Sequence, residues 1–186
     1  MPYKCNVIRS SRRTLSVEIN SEGQITVRAP YRMSDRKIEK FISDKAPWIE
    51  KQLAKLETAR RNLGNTEKLS DAQINSLIEK AKAYIPARAD YYAEILGVEY
   101  GRITVRSQKT KWGSCSSKGN LNFNCLLMLA PAEVIDSVVV HELCHLKYMN
   151  HSKEFYSEVL AVFPKYKSCD KWLKDNGRAL MSRLGK

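Results

Sequence analysis

All three histidines of this 186-residue chain fall within eleven residues, as His141-Glu142-Leu143-Cys144-His145 and then His151. That spacing restricts what the segment can fold into. On a helix, His141 and His145 stand one turn apart on one face, so both imidazoles can reach a single ion. Glu142 is rotated about 100° from His141 and stands beside such an ion rather than on it. One helix face cannot close a tetrahedral site, so a third ligand has to come from beyond the helix end. His151 is the candidate, with the chain reversing at Met149-Asn150 through an Asn that tolerates the left-handed region. Three protein ligands with one open position is the pattern of a catalytic zinc site, whereas a structural site is closed by four. For a chain with this His and Glu content, chance gives an HExxH match in roughly 0.3 % of cases.

The chemistry follows from those residue types. A zinc ion lowers the pKa of its water towards 7, and Glu142 can take the proton as that water attacks a carbonyl or phosphoryl centre. One ion is expected, and other divalent metals compete for the same donors. Charge developing on the oxyanion needs a further donor, for which Tyr148, Tyr156, Arg106, Lys109 and Lys111 are candidates that the sequence does not rank.

Around this segment the hydrophobic period changes several times. Asn6 to Ile8, Thr14 to Ile19 and Ile25 to Arg28 alternate as strands, with a hairpin turn at Ser21-Glu22-Gly23-Gln24, and Pro30 ends that section. Helical spacing begins after Ser34, a plausible N-cap, with Ile38, Phe41 and Ile42 as its stripe. Pro47 opens a second helix that runs out near Leu63-Gly64-Asn65. A third starts near Ser70, should kink or split at Pro86, and stops at Leu96-Gly97. Ile103 and Val105, then Leu121, Phe123, Cys125, Leu127 and Leu129, alternate as strands around a small-residue loop, Lys109 to Ser117. Pro131 is expected as a first helical residue of a helix reaching about Tyr148. Further helices are expected over Ser152 to Phe163 and Ser168 to Asp175, interrupted at Asn176-Gly177. The polar stretch 62–70 is the best boundary, giving segments 1–65 (hairpin and helices) and 66–186 (the metal-binding part), or else one compact unit.

Composition narrows the setting. No apolar run approaches the ~20 residues of a membrane span, and the first ten residues hold no apolar leader segment. The five cysteines are odd in number and form no CxxC pair, which fits reduced thiols in a cytoplasm. The net charge of +12 admits a nucleic-acid partner. It is spread along the chain, and no dense Lys/Arg run marks a groove.

Several motifs in order complete the reading. Lys111-Trp112-Gly113-Ser114-Cys115-Ser116, Asn124, Pro131, the HExxH segment, Asn150-His151-Ser152 and Phe155 together resemble the YgjP-like metallopeptidase family, a relative of SprT-like and other gluzincin-type zincins. The resemblance is most specific over residues 100–165. It implies an α+β, zincin-like domain with a small twisted sheet over the HExxH helix, preceded by a β-hairpin and helices. It also implies zinc on His141, His145 and His151, with Glu142 as base. The segment Asn120 to Leu129 would be the rim strand, able to pair with a peptide or unfolded protein substrate. The histidine spacing equals that of metzincins, but Tyr148 occupies their glycine position, so the shorter YgjP-like turn is preferred. Trp112 is expected to pack the cleft wall or to touch substrate. Two alternatives stay open: a nucleoside triphosphate (UTP) pyrophosphatase, with Arg106, Lys109, Lys111 and Lys118 neutralising phosphates, and a basic, zinc-stabilised DNA-binding module.

Overall fold

The computed structural model describes residues 3–20, 22–63 and 67–184. Ser21, Gly64 and Asn65, placed above in a turn and at a helix end, lie outside them. The chain divides into two compact units, Met1–Thr66 and Glu67–Lys186. Among the described residues no helix is long and apolar enough to cross a membrane.

The first unit is a three-stranded sheet with two helices. Strands β1 (Cys5–Ser10), β2 (Ser16–Ile19) and β3 (Ile25–Pro30) lie in the order β1-β3-β2. β3 pairs antiparallel with β2 and parallel with β1, from Cys5 opposite Ile25 to Ser10 opposite Pro30. The central strand explains its own position: Ile25, Val27 and Ala29 are buried on one face, while Thr26 and Arg28 point away. The β2–β3 turn is closed by Asn20, whose Oδ1 accepts from the Glu22 and Gln24 amides at 3.0 and 2.8 Å. Gly23 sits at φ 86°, a value other side chains resist. Helix α1 (Asp35–Asp44) buries Ile38 and Ile42, and α2 (Ala46–Leu63) adds Ile49 to the same core. Ser34 occupies the N-cap position of α1, but its side chain makes no capping bond.

The second unit begins with α3 (Asp71–Leu96), capped by a reciprocal pair of bonds between Ser70 and Gln73 and ended by Gly97 in the left-handed region. The expected break at Pro86 does not occur. Proline removes one amide donor, but Ala81, Ile85, Ala89, Ala93 and Leu96 are buried along both sides of it, and that packing holds the helix continuous. A second mixed sheet follows. β4 (Ile103–Arg106), β5 (Gly113–Cys115) and β6 (Leu121–Asn124) lie in the order β4-β6-β5, with β4 parallel and β5 antiparallel to β6.

Here the expected long rim strand needs two corrections. The strand ends at Asn124, and Cys125–Leu129 is a 3-10 helix. Asn124 is fully buried, and its Oδ1 accepts from the Leu126 amide at 3.1 Å, turning the chain out of the ladder. β6 is also the central strand, so the edges are β4 and β5, and β5 is the one Glu142 lies against.

Helix α4 (Ala132–Cys144) packs Val139, Val140 and Leu143 against Phe123, Ile85 and Ala89. A bidentate pair ties it to α3: Arg88 Nε and Nη2 donate to Asp136 at 2.8 and 2.7 Å, and the Tyr92 hydroxyl donates to the same carboxylate. α4 stops four residues before Tyr148, where it was expected to end. Short turns Leu146–Leu143 and Lys147–Cys144 replace its last turn. Helices α5 (Lys153–Val162) and α6 (Tyr166–Met181) follow. α6 runs through Asn176-Gly177 because Asn176 is buried with its amide donating to the Trp172 carbonyl, and Gly177 leaves room for the Trp112 ring.

Candidate metal centre

The run Val138-Val139-Val140 is poor helix material, so burial rather than propensity keeps α4 helical. That fixes the face on which His141 and His145 project, with ring centroids 4.9 Å apart. The reversal bringing back His151 uses no left-handed Asn150: among the described residues no residue other than glycine has positive φ. Ser152, whose hydroxyl accepts from the Phe155 amide, starts α5 directly after His151. Phe155 is fully buried and touches all three imidazoles, at centroid distances of 5.0, 4.6 and 4.9 Å to His141, His145 and His151. It is the floor on which the three rings stand.

The ring nitrogens are sorted by their partners. His145 Nδ1 lies 2.9 Å from the Tyr148 carbonyl, which only accepts, so Nδ1 carries the proton and Nε2 keeps its lone pair. His141 Nδ1 lies 2.9 Å from the Tyr166 hydroxyl of α6, leaving Nε2 to face the cluster. There it meets His151 Nε2 at 3.0 Å, and one nitrogen from each of the three histidines lies within 4.8 Å of the others. Nitrogen ligands on a tetrahedral zinc, each about 2.0–2.1 Å away, stand roughly 3.3 Å apart, so the donor set fits one such ion. Burial lowers the pKa of His141 to about 4, with further lowering from His145 and His151. Burial lowers that of His145 as well. Metal binding needs neutral imidazoles of this kind.

Glu142 is buried beside this cluster and faces β5. A Cβ at Gly113 would lie 2.6 Å from its Oε1, so the carboxyl occupies space that only glycine leaves free. Burial pushes the carboxyl up to about 8, against the opposing charge of Lys111 and a Cys115 backbone hydrogen bond. Both groups come from the Lys111-to-Ser116 motif, which gives that motif a physical role. The loop before it is held by Asn124, whose Nδ2 donates to the carbonyls of Gln108 and Lys111 at 2.6 and 2.9 Å. A cavity of about 260 Å³ opens there, with Lys111, Trp112, His141, Glu142, Tyr166 and Asp170 among its walls.

Of the five oxyanion-donor candidates, Lys111 lines this cavity, and Arg106, Lys109, Tyr148 and Tyr156 do not. The Tyr156 ring lies 6.0 Å from that of His151, and Tyr148 offers its carbonyl to His145. Trp112 packs on Gly177 and also forms cavity wall. Burial and then the Glu142 charge raise the Cys115 thiol, keeping it protonated. Tyr166 was not singled out from the sequence. It lies 25 positions from His141, and no local pattern points to the pairing.

These features belong to a recognisable class. The YgjP-like metallopeptidase domain matches residues 13–70 and 56–176, and the chain belongs to the YgjP-like metallopeptidase family. Membership in a metallopeptidase family implies a metal ion and a peptide substrate. Two solved structures are similar over part of the chain. The metallopeptidase zymogen of Pyrococcus abyssi abylysin is 25% identical, covering 48% of this chain and 92% of its own, with a TM-score of 0.44. The zymogen of Methanocaldococcus jannaschii jannalysin is 26% identical, covering 47% and 88%, with a TM-score of 0.42. No curated protein matches the chain.

Proposed function

We propose that this chain is a zinc-dependent peptidase in which His141, His145 and His151 hold the metal and Glu142 is the general base. The observation carrying this reading is the convergence of three imidazole nitrogens within 4.8 Å beside a buried carboxyl that Gly113 makes room for. Zinc at this place would supply Lewis acidity, polarising a peptide carbonyl and acidifying water.

The chain's own residues do the rest. Tyr148 and Tyr166 hold two imidazoles with Nε2 turned to the cluster. Glu142 takes a proton from the water whose oxygen attacks the carbonyl carbon, and returns it to the leaving amine nitrogen as the C–N bond breaks. Lys111, on the same cavity wall, is placed to offset charge developing on the carbonyl oxygen. An extended substrate has β5 to pair with, since Gly113–Cys115 is the sheet edge beside Glu142. A nucleoside triphosphate substrate has less support: of Arg106, Lys109, Lys111 and Lys118, Lys111 alone lines the cavity.

The test is a metal-replete assay of wild type against Glu142→Gln, on a peptide library and on nucleoside triphosphates in parallel. Peptide cleavage lowered roughly 10²- to 10⁴-fold by the substitution is the expected result. Release of pyrophosphate from UTP that disappears in Glu142→Gln, with no peptide cleaved, would replace this reading with the phosphohydrolase one.

A further inference from the structure

At one end of the first sheet, parallel pairing delivers two connections side by side. Ser10 is opposite Pro30, and the Tyr31 amide donates to the Ser10 carbonyl at 3.0 Å. Residues 11–15, leading to β2, and 31–34, leading to α1, therefore leave the sheet together. They carry Arg12, Arg13 and Arg32, and Arg36 follows in the first turn of α1. Arg9 is committed to the fold: Nη1 donates to the Met33 and Tyr31 carbonyls, and Nη2 pairs with Asp35 at 2.5 Å. That pairing occupies Asp35, the carboxylate that precedes Arg36 in the chain.

Arg13, Arg32 and Arg36 are exposed, and among the described residues neither they nor Arg12 form an ion pair. Tyr31, next to Arg32 in the chain, has 66% of its surface exposed. A second observation falls at the same place. Among the described residues, the buried side-chain N and O atoms with no hydrogen-bond partner are Arg12 Nε, within the 11–15 connection, and Ser16 Oγ, at the start of β2 where that connection ends. An unmet buried donor is costly, and two within five residues mark a place short of acceptors.

We propose that this end of the N-terminal unit binds single-stranded nucleic acid, with phosphates on the arginines and a base stacked on Tyr31. Three guanidiniums on two adjoining connections, with a fourth in the first turn of α1, suit phosphate oxygens, which match their forked donors. An exposed ring can stack only on a base that is not already paired in a duplex, and such stacking tolerates any sequence. The site is separate in the chain from the histidine cluster and does not depend on the peptidase reading.

The test uses the full chain and a fluorescein-labelled dT12 oligonucleotide, followed by anisotropy between 50 and 200 mM NaCl. Binding that weakens with salt is expected, at about 0.7 log units per log unit of salt for each phosphate contacted. The triple variant Arg13→Ala, Arg32→Ala, Arg36→Ala should bind at least about tenfold more weakly at 50 mM, with the salt slope shallower by about 2. The matching triple lysine variant should keep the slope, showing that the unit still folds. Tyr31→Ala should cost roughly tenfold with the slope unchanged. The proposal is overturned if dT12 does not bind at 50 mM NaCl, or if the triple alanine variant binds as wild type does. It is equally overturned if Tyr31→Ala has no effect, or if phosphatidylserine vesicles bind more tightly with the same dependence on the variants.

Discussion

The two units contain the same small sheet, used differently. In each, an edge strand runs parallel to a central third strand, the intervening strand lies antiparallel on the other side, and the hairpin ends on a glycine with positive φ, Gly23 or Gly119. The difference lies in the connection between the first two strands. In the second unit, residues 107–112 are pinned from below by the buried Asn124 amide and lead into Gly113, over which Glu142 lies. In the first unit, residues 11–15 carry two arginines, with one unmet donor at Arg12 Nε and another just past them at Ser16 Oγ, and among the described residues no buried amide corresponding to that of Asn124 holds them. One sheet end is organised by its own chain for chemistry, and the other offers donors that its own chain leaves unmet. The lesson is that a shared topology sets where a loop emerges, while single buried residues decide what that loop does.

The largest test of this contrast is Gly113→Ala against Ser16→Ala, the first residues of the two antiparallel edge strands. A Cβ at Gly113 would lie 2.6 to 2.8 Å from three Glu142 side-chain atoms. The expected loss in kcat/KM is about 100-fold, since displacing a reacting group by about 1 Å has that effect, with metal content unchanged. Ser16→Ala removes an unmet hydroxyl and should leave peptide cleavage as it is. Equal effects of the two substitutions would erase the distinction between the sheets.

A smaller effect sharpens the chemical side. Tyr166→Phe removes the oxygen 2.9 Å from His141 Nδ1 but keeps the ring. Loss of such an orienting partner should weaken zinc binding about tenfold, measured by competition with a chelator. An unchanged affinity would mean that packing on Phe155, 5.0 Å from the His141 ring, orients the imidazole by itself.

The histidine cluster was legible in the sequence because an i, i+4 pair and a short reversal are local, needing only that one helix form. What escaped was whatever depended on distant packing. Tyr166 comes from a helix whose docking no local period encodes. The apolar alternation through Cys125, Leu127 and Leu129 looked like strand because a buried 3-10 turn is equally apolar, and Asn124 alone marks the change. Pro86 and Asn176-Gly177 read as breaks on propensity, and tertiary burial overrode both. The arginine group was invisible as a run, since parallel pairing of Ser10 with Pro30 brings its two halves together from about twenty residues apart.

The most direct test of the central claim is the zinc content of purified wild type, Glu142→Gln and His151→Ala, measured by elemental analysis after dialysis against limiting zinc. Wild type and Glu142→Gln should each hold one zinc per chain, and His151→Ala should lose most of it. Retention of one equivalent by His151→Ala, or its loss from Glu142→Gln alone, would contradict the assignment of the three histidines as ligands and of the carboxyl as the base beside them.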